Sequence, residues 1–152
     1  MGWLSRLLGT GAGRRDLIAD LVEGYRAEAE HAAHLREHAA RARYPQAADS
    51  LRTLADQEDR HAAALSGLIQ SIGGGLPPIA PDPIPGQNQW ARAVAAHEAA
   101  RRKRQGHLTR LNYWDPEHPK AVAVLRTIER EDAAVLRIYD DLIMRSDPQS
   151  RD

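Results

Sequence analysis

Glu58 and His61 stand one helical turn apart in the run Leu51-Arg-Thr-Leu-Ala-Asp-Gln-Glu58-Asp-Arg-His61-Ala-Ala-Ala-Leu65. At helical spacing both fall on the side that carries Leu51, Leu54, Leu65 and Leu68. An ionised carboxylate taken out of water is costly unless a cation pairs with it, so an inward Glu-x-x-His turn demands a metal ion or an arginine. Glu28, Glu98 and Asp132 recur near mid-length on three further apolar faces. Carboxylates with one imidazole form a hard donor set that suits iron or manganese, and they leave positions for oxygen, peroxide or water. The same residues also admit a metal-free reading, an ion network among Glu58, Asp132 and Arg101 with no redox role.

The elements that must position these groups are helices. From Asp16 to about Arg43, Leu17, Leu21, Glu28, Ala32, Leu35, Ala39 and Ala42 mark one face of a first helix. Tyr44-Pro45 is a short link, and Leu51, Leu54, Glu58, His61, Leu65, Leu68, Ile69 and Ile72 mark a second, antiparallel helix. Asn88 can cap a third, running through Trp90, Val94, Glu98 and Leu108 to about Asn112. Asp115-Pro116-Glu117 reads as the opening of a fourth, through Leu125, Ile128, Asp132, Val135, Tyr139 and Leu142.

Between the two hairpins lies a proline-rich stretch, residues 73–87, far longer than most helix connections. Extended, it reaches roughly 45 Å, and the second helix is roughly 40 Å long, so the link can return to the starting end and leave the second and third helices parallel. Ile79 and Ile84 are its candidate anchors. The hairpins also form a weak repeat. Leu51 falls on Leu125, Leu54 on Ile128, Glu58 on Asp132, Leu65 on Tyr139 and Leu68 on Leu142, whereas His61 falls on Val135.

The composition narrows the chemistry. With 152 residues, balanced charge and no cysteine, the chain reads as one all-α domain without thiolate or iron–sulfur sites, and no net field points to nucleic acid. No stretch approaches the roughly 20 apolar residues of a membrane span, so a soluble, cytoplasmic protein is expected. Residues 1–15 are expected to be an amphipathic or flexible segment, residues 16–145 the bundle and residues 146–152 a flexible tail. Trp3, Leu4, Leu7 and Leu8 with Arg6 could dock residues 1–12 on a membrane surface or a partner. His31, His34 and His38 read as a solvated flank of the first helix, and Arg101-Arg-Lys-Arg104 as a solvated basic face.

From about Asp16 to Ile143 the chain resembles the ferritin-like superfamily, in particular the rubrerythrin-type di-iron four-helix bundles. Those carry a Glu on the first and third helices and Glu-x-x-His on the second and fourth. Ala55-Asp-Gln-Glu58-Asp-Arg-His61-Ala is the most specific match. The resemblance implies two antiparallel hairpins joined by a long crossover, with Glu28, Glu58, His61, Glu98 and Asp132 as metal ligands. It also implies ferroxidase- or peroxidase-type activity at iron or manganese, with oxygen or peroxide as substrate. The sequence departs from the pattern at the fourth helix, where the second motif has become Asp132-x-x-Val135. It departs at the third as well, where Arg101 follows Glu98. A single ion, or Arg101 in the place of the second cation, is therefore expected. A homo-oligomer is compatible with these features, and a metal-free adaptor is the competing function.

Overall fold

The computed structural model describes residues 10–151, and of residues 10–16 the backbone alone. Four helices follow in order: α1 (Thr10–Arg41), α2 (Pro45–Ser71), α3 (Gln89–Trp114) and α4 (Pro119–Arg145). No strand occurs among the described residues. The α1 helix starts six residues ahead of Asp16. The N-terminal docking segment expected from Trp3, Leu4, Leu7 and Leu8 lies outside the described residues.

α1 pairs with α2 and α3 with α4, while α1 also meets α3 and α2 meets α4. Direction follows from particular bonds. Arg110 Nε donates to the Asp20 carbonyl at 2.9 Å and Trp114 Nε1 to Asp20 Oδ2 at 2.7 Å, joining the start of α1 to the end of α3. These two helices are thus antiparallel, and α2 and α3 run parallel. The crossover makes this possible by returning along the bundle, from Leu76 on one apolar cluster to Ile84, buried in the other. His34 Nε2 donates to the Asp82 carbonyl at 2.7 Å, and the Ile84 amide donates to Glu37 Oε2 at 3.0 Å. Ile84 is therefore an anchor, while Ile79 stays half-buried.

Local chemistry sets the ends. Pro45 opens α2 from the extended Tyr44, and the Asn88 side chain accepts the Ala91 amide at 2.8 Å to cap α3. The turn before α4 differs from expectation. α3 continues to Trp114 and is closed by Asp115, and Asp115-Pro116 is a cis peptide within the interhelical turn. Pro119, preceded by His118, supplies the first-turn proline that opens α4. At Gly86 φ is +132°, and a Cβ there would stand 2.6 Å from the Arg92 amide nitrogen. Gly86→Ala is therefore expected to destabilise the fold by about 1–3 kcal/mol, read as a lower denaturant midpoint with unchanged slope. An unshifted midpoint would show that the crossover relaxes around the new side chain.

Two apolar clusters fill the ends of the bundle. One gathers Leu35, Leu51, Leu54, Ala93, Ala96, Val135, Tyr139 and Leu142, the other Leu17, Leu21, Leu65, Ile69, Trp114, Val122, Leu125 and Ile128. Alanines at 93, 96 and 100 on α3 let this helix approach its neighbours closely. Between the clusters lies a buried layer of a different kind, made of Glu28, His31, Glu58, His61, Lys103, His107 and Asp132.

Candidate metal centre

Each helix delivers at least one member of this layer. α1 brings Glu28 and His31, α2 brings Glu58 and His61, α3 brings Lys103 and His107, and α4 brings Asp132. Glu28 and Glu58 are wholly shielded from solvent, at 0% exposure each. At the centre Lys103 Nζ donates to Glu28 Oε2 at 2.9 Å, to Asp132 Oδ1 at 3.0 Å and to Glu58 Oε2. His107 Nε2 donates to Glu28 Oε1 at 2.6 Å. His61 turns Nε2 to Glu131 Oε2 at 2.7 Å, and its Nδ1 faces Glu28 Oε2 at 3.4 Å and Asp132 Oδ1 at 3.8 Å. Glu28, Glu58, His61 and Asp132 each offer one ligand atom, and those atoms all lie within 4.8 Å of one another.

A second line of polar groups leads away from the acids. His31 Nδ1 lies 3.1 Å from Glu58 Oε2, and His31 Nε2 is 3.0 Å from the Tyr139 hydroxyl. The Tyr139 ring in turn stacks against His38, with ring centroids 6.5 Å apart.

Burial and crowding set the proton inventory. Burial raises the Glu58 carboxyl to about 8, reinforced by Glu28 beside it and only partly opposed by Lys103. Burial pushes Glu28 upward too, but its close polar contacts with Glu58, His107 and His61, and the Lys103 charge, outweigh it and hold this carboxyl well below its usual range. Asp132 rises to about 6 through burial, against the pull of Lys103. Burial opposes the charge of His61, yet the Glu28 and Glu131 carboxylates carry it up to about 9. Burial likewise opposes the Lys103 charge, and the three acids overcome it. Burial, with Lys103 nearby, depresses His31 to about 3, so its ring is neutral. Its Nε2 then accepts from the Tyr139 hydroxyl, whose proton burial retains. At neutral pH the layer holds ionised Glu28 and Asp132, protonated Glu58, and cationic Lys103 and His61.

The structure brings Glu28, Glu58, His61 and Asp132 together and leaves Glu98 apart. Glu98 is exposed on the outer face of α3, 4.0 Å from Arg102. Arg101 is exposed as well, and the cation among the acids is Lys103. The cause is the phase of α3. Trp90, Val94, Glu98 and Arg101 suggested one face, whereas the buried one runs Ala93, Ala96, Ala100, Lys103, His107. The alanine spacing, continued past the basic run, was the signal that could have found Lys103 and His107. The histidines of α1 are corrected too. His31 and His38 are buried, and His34 holds the crossover, so no solvated stripe exists there. Tyr139 was read as an apolar core residue, with nothing in the sequence to mark its hydroxyl.

The donor set suits a metal ion on one observation. Glu58 Oε1 and Asp132 Oδ2 are buried without a hydrogen-bond partner, and His61 Nδ1 faces the acids without one. Buried polar atoms without a partner are rare in native interiors, and once Glu58 and His61 give up their protons a cation would satisfy all three. No family model matches the chain, and no curated protein does. Among solved structures it is similar to one described as ferritin like, diiron-carboxylate proteins from Bacillus anthracis str. Ames. The TM-score is 0.76 at 18% identity, over 86% of this chain and 96% of that one. The fold is a ferritin-like four-helix bundle with a long crossover, and no helix among the described residues is long and apolar enough to cross a membrane.

Proposed function

We propose that this ferritin-like chain binds one divalent ion, iron or manganese, through Glu28, Glu58, His61 and Asp132, and uses it in oxygen or peroxide chemistry. The observation that carries the reading is the pair of buried carboxylate oxygens without a partner, Glu58 Oε1 and Asp132 Oδ2, inside the polar layer. Charge selects the number of ions. Fully ionised, Glu28, Glu58 and Asp132 supply three negative charges, and Lys103 with one divalent ion supplies three positive ones. A second ion would leave two positive charges uncompensated, so Lys103 stands where a second metal would be needed. Similarity to a structure described as diiron-carboxylate supports the kind of chemistry, and Lys103 supports the reduced stoichiometry.

The ion would supply a redox couple and an open coordination position for oxygen or peroxide. The chain's own residues do the rest. The Lys103 ammonium fixes one oxygen of each acid, which leaves the second oxygens of Glu58 and Asp132 for coordination. Glu131 and His107 steady His61 and Glu28 through their outer hydrogen bonds. The Tyr139 hydroxyl donates a hydrogen bond to His31 Nε2, and His31 Nδ1 faces Glu58 Oε2, so this line orients the side chain of a ligand.

Glu58→Gln tests this reading, because the amide mimics the protonated acid of the metal-free state but cannot become an anionic ligand. Wild-type protein purified without chelator from iron- or manganese-supplemented cells is expected to retain about one equivalent of metal. The variant should bind at least about tenfold more weakly, with its metal-free thermal stability preserved. A wild-type protein that stays empty and gains no thermal stability from either ion would overturn the proposal.

A second reading rests on Lys103 reaching all three acids at once. Here the chain is a metal-free helical adaptor, the lysine locks the former centre, and residues 1–12 engage a partner. Loss of association on deleting residues 1–12, with no metal uptake, is its expected signature.

A further inference from the structure

The buried layer comes nearest to solvent at the seam between α1 and α3. Lys103 at 7% and His31 at 4% keep the largest exposures in the layer, and both stand in the wall of a cavity of about 290 Å³ on that seam. Glu28, Glu58 and Asp132 do not line it. Glu58 lies immediately behind, because Lys103 Nζ and His31 Nδ1 both meet its Oε2. The cavity thus ends one side chain short of the proposed ligands. On the opposite seam, between α2 and α4, Glu131 covers His61 with a bond of 2.7 Å.

Small residues make the room. Ala27 on α1, with Ala99 and Gly106 on α3, lines the cavity, and a Cβ at Gly106 would stand 2.9 Å from Arg110 Nη1. Both ends are pinned. Arg110 is held by Asp20 toward the start of α1, and further along α1 His34 is held by the Asp82 carbonyl of the crossover. Charged groups of both signs share the wall, Glu23 and Glu30 on α1 and Arg102 and Arg110 on α3, so the innermost charge decides what passes. That charge is the Lys103 ammonium. A divalent cation coming this way meets it at close range ahead of any ligand oxygen, whereas dioxygen and hydrogen peroxide carry no charge to be repelled.

We infer that the cleft between α1 and α3 is the entrance to the buried layer for a small uncharged oxidant, and that Ala27, Ala99 and Gly106 set its bore. The nature of the molecule that enters rests on the oxygen or peroxide chemistry proposed above, while the passage rests on the geometry of the two helices alone.

The chain has no cysteine, so His31→Cys places a single thiol at the inner end of the cleft. Methyl methanethiosulfonate should label it in the folded, metal-free protein, and adding Ala27→Leu and Ala99→Leu should slow labelling at least about tenfold. Met144→Cys, at a position 84% exposed, should label equally fast with or without the two leucines. A thiol that reacts only on unfolding in urea, or a rate that the leucines leave unchanged, overturns the entrance. A second measurement keeps His31 and mixes nitric oxide, small and uncharged, with the iron(II)-loaded protein. The two leucines should slow its association at least about tenfold, with iron(II) affinity and the rate of manganese(II) uptake unchanged. Unchanged association, or cation uptake slowed as much, overturns the assignment to the oxidant. Protein that takes up neither ion overturns the proposed chemistry and the oxidant with it, and the thiol still decides whether the cleft admits small molecules.

Discussion

Replacing Lys103 with methionine is expected to destabilise the metal-free protein by about 3–5 kcal/mol near neutral pH, measured by urea unfolding. Methionine fills much of the same volume, so the change isolates the charge. It leaves Glu28 and Asp132 buried without the ammonium that bridges them, and leaves Glu58 with His31 alone. Such acids recover only by taking up protons or another cation. Manganese or iron should therefore stabilise the variant more than the wild type, and the bound stoichiometry should rise from one ion toward two. The linkage is quantitative, since an ion at one hundred times its dissociation constant adds about 2.7 kcal/mol. A loss below about 1 kcal/mol in the metal-free variant would mean that the acids are neutral without the lysine, and the charge balance proposed for the centre would fail.

Metal affinity is expected to climb steeply from pH 6.5 to 9. A cation must displace the proton of Glu58, held up to about 8, and that of His61, held up to about 9. Each competing proton changes affinity by about tenfold per pH unit while it remains bound, so two approach a hundredfold. Calorimetry in buffers of different ionisation enthalpy should count about two protons released at pH 7, falling toward none above pH 9. Stability of the metal-free protein runs the other way. Both pKa values lie above their ordinary values of 4.5 and 6.5, so the native state binds more protons than the unfolded chain. The stability from His61 is complete below pH 6.5 and lost as pH rises through 9. That from Glu58 is complete below 4.5 and lost through 8. His31, depressed to about 3, weakens the fold only as pH falls below 6.5, outside this window. Metal-free protein should thus lose stability between pH 6.5 and 9 while loaded protein gains it. Affinity that stays flat across the window would contradict the proton inventory.

Much of the architecture was legible because it rests on period and length. Leucines on α2 and α4 repeat at helical spacing beside Glu58 and Asp132, and a proline-rich link long enough to span the bundle implied the crossover. Glu28, Glu58, His61 and Asp132 were visible for the same reason, as charges embedded in apolar stripes. α3 was not legible in that way. Its buried face is alanine, and alanine is common on every side of a helix, so a stripe of it sets the phase weakly. Trp90 and Val94 then drew the reading round to Glu98 and Arg101, while Lys103 was absorbed into a basic run. The turn at Asp115-Pro116 misled for a related reason: Pro116 and Pro119 both satisfy a first-turn pattern, and only the structure distinguishes them.

The polar layer also decides how the two halves of the chain join. Lys103 and His107 reach across to Glu28, Lys103 to Glu58, His61 to Glu131 and Tyr139 to His31, each bond linking one hairpin with the other. A seam of leucine and alanine alone tolerates sliding, since one aliphatic contact resembles the next. Slip α3 by a turn, about 5.4 Å, and Ala100 would confront Glu28 and Glu58 in place of the ammonium. The acids would then be entombed with no counterion. The layer therefore works as a vernier that rejects misaligned dockings, a duty it performs in the folded chain whether or not an ion is bound.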